Sequence, residues 1–304
     1  MAHLATGNTD PVPVSADAQA PIIFPYPRKV AFHLVKTAHT ANLFLRSITA
    51  GYVGLDTEFT TRTPSPKERS ALEATDGSKR SRLLYLKRRV HEAGPDGIQL
   101  DFDRMGLCLV QIVQIATDTN VFIMDLKRIK SFPRELRRIL ESDQIAKVGT
   151  GFLTDGKVLF EDAGCNVRCF RDLGFLMRLV FAEQFATSGG PIALDVMVRF
   201  LLQRQMSKDL QQSDWSEEYD EEDPQILYAG LDAQASRELY TEMLIPTRDK
   251  ESAINQRIQD DWFCFDFIDG EARTRSKSSS GDTSSWSYTL CPWYRGGKFS
   301  AYHR

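Results

Sequence analysis

Apolar positions change period along this chain, and the changes mark out its elements. Residues 30–35, 52–58, 107–116 and 121–125 are short runs rich in Val, Ile, Leu and Phe, which predict strands. The short gap 117–120 joins the last two as a hairpin. Helical spacing over 40–48, 133–140, 152–162, 172–181 and 192–203 predicts helices, and apolar runs at 145–148 and 167–170 predict strands between them. A long helix begins at Asp223-Pro224: an acidic N-cap, then a residue whose missing N–H costs nothing in the first turn. Leu227, Leu231, Ala235 and Leu239 recur at helical spacing and are expected to face the core. Three early strands followed by alternating elements predict an α/β domain with a mixed sheet, spanning 28–245.

Three segments fall outside this pattern. Residues 1–27 carry five prolines among small polar residues, and a disordered leader is expected. Residues 61–104 separate the first sheet strand from its neighbour and are too long for a hairpin, so they form an insertion. Beyond residue 245 the helical period fades, and 246–304 is expected to be a partly disordered tail with a Ser-rich stretch at 276–287. A chain of 304 residues can bury one good-sized core. No apolar run has the length of a membrane span, and the N-terminal residues lack a secretory signal pattern. Five cysteines without a Cys-x-x-Cys pair suit a reducing interior better than a disulfide framework or a zinc site. An intracellular protein, nuclear or cytoplasmic, with no membrane partner is expected. The net charge of −3 names no partner.

Candidate chemistry lies in three acidic motifs. Asp56 and Glu58 are two apart on a strand and share a face. Asp155 follows a strand and a glycine turn, Gly149-Thr150-Gly151, near a helix start. Tyr228 and Asp232 are four apart on the long helix, one turn above the other. Each has a plainer reading alone: a strand end meeting water, a first-turn acid favoured by the helix dipole, a solvated helix face. Gly151-Phe152-Leu153-Thr154-Asp155-Gly156-Lys157 also fits a phosphate-binding loop, but Val158 stands where Ser or Thr is needed, and Asp155 would oppose phosphate. Between residues 79 and 89, the basic Lys79, Arg80, Arg82, Lys87, Arg88 and Arg89 surround Tyr85. That segment reads as a phosphate-tracking arm with a stacking ring, a nuclear-import signal or a solvated amphipathic helix. The acidic run 217–223 reads as a solvated loop before a helix N-terminus, facing away from substrate.

Taken in order, Asp-x-Glu, Gly-x-Gly-x-x-x-Asp and Tyr-x-x-x-Asp resemble the three motifs of the DEDD superfamily of 3′–5′ exonucleases. The form of the second is nearer the Werner-syndrome exonuclease domain than bacterial ribonuclease D. Leu227 holds the place of the histidine subclass's histidine, so Tyr228 implies the tyrosine (DEDDy) subclass. The resemblance implies a ribonuclease H-like mixed five-stranded sheet flanked by helices, and two Mg²⁺ (or Mn²⁺) ions held by hard carboxylate oxygens. It implies that Asp56 bridges both ions, that Glu58 and Asp232 complete one site, and that Asp155 serves the second through water. Tyr228 would orient the attacking water. The partner would be the 3′ end of DNA or RNA, the product a nucleoside 5′-monophosphate, and any helicase a separate protein. The competing reading is a nuclease-fold module that binds nucleic acid without cutting it.

Overall fold

The computed structural model describes residues 30–61, 94, 97–100, 108–185, 191–207, 210, 213–215, 218–248, 264–269, 271–277 and 286–290. The expected leader, the basic segment 79–89 and most of the insertion lie outside the described residues.

Among the described residues a mixed sheet of nine strands organises the fold, in the order β1-β5-β4-β2-β7-β8-β9-β10-β11. At its centre β2 (Gly51–Thr61) pairs antiparallel with β4 (Cys108–Ala116) and parallel with β7 (Ile145–Gly149). Beyond β4, the hairpin partner β5 (Asn120–Asp125) pairs in parallel with β1 (Ala31–Val35). On the other side, β8 (Phe170–Asp172) runs parallel to β7. Then β9 (Cys264–Ile268), β10 (Glu271–Lys277) and β11 (Trp286–Leu290) follow antiparallel. Two short strands, β3 (Ile98–Gln99) and β6 (Ser131–Phe132), pair separately.

The expectation of five strands is therefore corrected to nine. The tail beyond residue 245 loses its helical period because its described part alternates at the strand period instead. Phe265 and Phe267 point into the core, and Phe267 sets its ring edge-on to Phe152 and Phe170. The strand expected at 167–170 starts only at Phe170, because Cys169 has a left-handed backbone (φ 50°) that breaks the extended run.

Helices cover both faces of the sheet. On one face lie α1 (Ala38–Leu45), α3 (Arg134–Glu141) and α4 (Leu153–Ala163). Their Leu45, Leu136, Ile139, Val158 and Leu159 pack on Val53, Leu55, Val113 and Ile115. The one-turn α2 (Leu126–Ile129) follows β5. On the other face lie α5 (Leu173–Val180) and α8 (Pro224–Arg248). The short α6 (Ala182–Phe185) follows α5. The helix expected at 192–203 is one turn of α7 (Leu194–Met197) continued by a π-helix, Val198–Leu202. Cys165 and Cys169 are buried and form no disulfide with one another. Among the described residues, no helix is long and apolar enough to cross a membrane.

Of the four residues expected to face the core, Ala235 and Leu239 are fully buried, whereas Leu227 and Leu231 are only half-buried. In the first turns the contact with the sheet is made instead by Ile226, Ala229 and Ala233, buried against Ile112, Val121 and Ile123. Alanines let the helix approach closely, and Tyr228 and Asp232 come down beside the strands. Asp223 caps the helix by accepting the Gln225 N–H at 2.9 Å.

Candidate metal-binding active site

Strand alternation puts Val53, Leu55 and Thr57 on the α4 face of β2, and Gly54, Asp56 and Glu58 on the α8 face. Helix α8 lies across that face, and its Asp232 is the next residue before Ala233, which packs there. One carboxylate oxygen each from Asp56, Glu58 and Asp232 lie within 4.8 Å of one another, all three side chains being half-buried. Among the described residues this is the one cluster of three or more such ligands.

The donor set fits a hard divalent cation. All three ligands are carboxylate oxygens from separate residues. Oxygens on opposite sides of a magnesium ion lie about 4 Å apart, so a small inward movement lets the three share an ion. The electrostatics point the same way. Burial pushes the Asp56 carboxyl well above its ordinary range, the charges of Asp232 and Asp155 push it further, and the Thr57 backbone N–H opposes them. Glu58 is raised by burial first, then by Asp56, Asp232 and Asp155. Acids this crowded are favoured in the ionised state only when a cation joins them.

That crowding has a pH signature. A carboxyl whose pKa is higher in the folded than in the unfolded chain stabilises the fold fully below its unfolded pKa. That stability is lost as pH rises through the folded value. In chelator, the wild-type protein is therefore expected to lose stability relative to Asp56→Asn as pH climbs from about 4 toward neutrality. Denaturant melts at stepped pH read this directly; a constant gap between the two proteins would contradict it.

Asp155 stands outside the three-oxygen set. It sits in the first turn of α4, and its Oδ1 accepts the Thr57 hydroxyl at 2.5 Å. Thr57 lies between Asp56 and Glu58 but points to the opposite face of β2, so Asp155 approaches from the α4 side. It is near enough for its charge to act on both acids. Tyr228 is buried, and its hydroxyl is hydrogen-bonded to Asp232. Burial, then the charges of Asp232, Glu58 and Asp56, push its pKa up, so the phenol stays neutral and serves as a hydrogen-bonding group.

Three residues that shape the site are absent from the sequence-based expectations. Gly54 gives α8 its clearance: a Cβ there would lie 2.0 Å from the Ala233 carbonyl oxygen. Thr57 ties Asp155 to β2. Asp172 caps α5 through the N–H groups of Gly174 (2.9 Å) and Phe175 (3.3 Å), and its other oxygen accepts the Gly151 N–H at 3.0 Å. That last bond pins the left-handed Gly151 (φ 62°), the turn that launches α4 and Asp155. An Asp immediately before an apolar helical run is an N-cap signal that could have revealed Asp172. Asp172→Ala is expected to cost about 1–3 kcal/mol, because it removes a cap and strands buried N–H groups. Urea unfolding checks this, and an unchanged midpoint would count against it.

Comparison with known proteins bears on the fold. A family model described as 3′–5′ exonuclease matches residues 97–245, a span that holds Asp155, Tyr228 and Asp232 and begins after Asp56 and Glu58. No curated protein matches the sequence. Among solved structures, the EXO domain of Nibbler from Aedes aegypti is 18% identical with a TM-score of 0.53, covering 75% of this chain and 94% of that domain. The catalytic core of RRP6 from Trypanosoma brucei is 14% identical with a TM-score of 0.51, covering 79% of this chain and 54% of that one. The chain thus spans about half the length of the RRP6 core. The likeness is one of fold: an α/β fold with a mixed sheet flanked by helices, like that of the Nibbler EXO domain and the RRP6 core.

Proposed function

We propose that this nuclease-fold protein is a metal-dependent 3′–5′ exonuclease of the tyrosine (DEDDy) subclass, releasing nucleoside 5′-monophosphates from the 3′ end of DNA or RNA. The observation that carries the reading is the meeting of Asp56, Glu58 and Asp232 within 4.8 Å, from segments far apart in sequence. Asp56, Glu58 and Asp232 would hold one ion, and Asp155, with Asp56, would serve a second. Two Mg²⁺ or Mn²⁺ ions bound there would polarise the scissile phosphodiester and favour ionisation of the attacking water.

The chain's own groups supply the positioning. Tyr228, neutral and held by Asp232, offers its hydroxyl to the attacking water and fixes its direction. Ile112, the cross-strand partner of Glu58, is fully buried on the same sheet face and gives the site an apolar floor there. Among the described residues Asp155 reaches the site through the Thr57 hydroxyl, so strand β2 sets its height as well as that of Asp56 and Glu58. In this reading the basic residues Lys79, Arg80, Arg82, Lys87, Arg88 and Arg89, with Tyr85, guide the strand by its phosphates.

A single assay panel tests the reading. Single- and double-stranded DNA and RNA, labelled at the 5′ end, are offered with Mg²⁺, Mn²⁺ or chelator. Metal-dependent shortening from the 3′ end is expected. Binding without shortening on every substrate would replace the enzyme by the non-cutting nucleic-acid-binding module. Tyr228→Phe is expected to slow turnover by roughly 10–100-fold, with substrate affinity near wild type, as befits a group that orients rather than binds. A wild-type turnover number would remove Tyr228 from the mechanism.

A further inference from the structure

Beside Asp56, beneath α8, lies a buried amide that the site as described leaves without a role. Gln114 on β4 is the direct cross-strand partner of Asp56, and Ile123 on β5 flanks it on the other side. Its exposure is 0%. Neither its Oε1 nor its Nε2 has a hydrogen-bond partner. Ile112 and Ala116, two residues away on either side and on the same sheet face, pack with Tyr228, Ala229 and Ala233 of α8. Gln114 is therefore enclosed between the Asp56 strand, Ile123 and the helix that carries Asp232. Directly opposed residues on antiparallel strands hold their Cβ atoms about 4.5–5.5 Å apart, a gap that a glutamine side chain can span.

We propose that Gln114 is a positioning residue for the acidic cluster, its amide N–H donating to the Asp56 carboxylate and holding it in the orientation that ligates metal. This rests on the metal-site reading above. A carboxylate that binds an ion with one lone pair keeps others for a supporting donor, and such donors set both ligand orientation and affinity. The donor has to be neutral here, because a lysine or arginine at the same place would compete with the cation for Asp56. It also has to be long enough to cross from β4 to β2, which a serine or threonine hydroxyl is not. A glutamine meets both demands. For the metal-free fold alone the residue is a poor choice: a buried amide with neither donor nor acceptor matched destabilises, and a methionine of similar length would fill the space without that penalty. A group that weakens the empty protein and borders a ligand is accounted for by the loaded state.

The test compares the full-length wild type, Gln114→Met and Asp56→Asn by calorimetric Mn²⁺ titration and by melting in chelator. Gln114→Met is expected to melt in chelator at or above the wild-type temperature, yet to bind Mn²⁺ about 10–100-fold more weakly. Asp56→Asn is expected to lose measurable binding. Wild-type Mn²⁺ affinity in Gln114→Met would overturn the inference. So would a lower melting point in chelator, which would make the amide a structural group. A wild-type protein that binds no Mn²⁺ would instead remove the metal-site reading and this inference with it, so the two failures are told apart by the wild-type titration.

Discussion

Asp56→Asn is expected to lower metal-dependent hydrolysis on the order of 10²–10³-fold or more, the scale of losing one pre-set electrostatic group at a reacting centre. The substitution should also make the metal-free protein harder to unfold. These two effects come from one cause. Asp56 is held among Glu58, Asp232 and Asp155 in a setting where burial already penalises its charge. Asparagine keeps the shape of the side chain, removes the repulsion and removes the ligand. In wild type, a free metal concentration 100 times the dissociation constant should add about 2.7 kcal/mol to stability. For a domain of this size that moves the melting midpoint by roughly 5–10 °C. In Asp56→Asn the shift should vanish while the baseline in chelator rises. Melting curves with Mn²⁺ and with chelator, beside the cleavage assay, read all three quantities. Undiminished cleavage would exclude Asp56 from the site. A baseline that fell by several degrees would mean that the carboxylate serves the fold rather than a metal.

The acids were legible in the sequence because each sits on an element whose period is unambiguous. Two-residue spacing on an apolar strand puts Asp56 and Glu58 on one face, and four-residue spacing puts Tyr228 above Asp232. What spacing cannot convey is how closely those elements approach. Gly54 drew no notice inside the strand 52–58, yet it is a point where α8 touches the sheet. The stripe Leu227, Leu231, Ala235 and Leu239 marked the core face in its second half, but in the first turns of α8 Ala229 and Ala233 replace the leucines against the sheet, because apolarity marks burial in general and not the close contact that alanine allows. Asp172 and Thr57 act through bonds to Gly151 and Asp155 that cross elements, and no local pattern encodes those partners. The sheet's extension by β9, β10 and β11 was hidden for another reason. β9, which joins this extension to β8, buries only two phenylalanines, Phe265 and Phe267, in the main core, and so short an alternation is easily lost beside polar residues.

Gly54→Val is expected to be the most damaging single change for the architecture of the site. Even a bare Cβ at this position would lie 2.0 Å from the Ala233 carbonyl oxygen, 2.9 Å from its carbon and 3.0 Å from the Arg237 Cβ. The first two are backbone atoms in the middle of α8, so no side-chain rotation relieves the contact and the helix has to move as a body. Overpacking of this kind costs about 1–3 kcal/mol in ordinary cores, and a branched residue against a rigid backbone should reach or exceed the upper end. The displacement falls on the residue next to Asp232, so the three-oxygen cluster opens as the helix lifts. Stability and Mn²⁺ affinity should therefore fall together, unlike in Asp56→Asn, where affinity falls and chelator stability rises. Gly94→Ala serves as the control, since a Cβ there meets nothing within 4 Å. Gly54→Ala, the milder version, keeps the experiment informative if the valine variant does not fold. If Gly54→Ala unfolded at the wild-type urea midpoint and bound Mn²⁺ as tightly, the close seating of α8 on β2 would not be what holds Asp232 over Asp56.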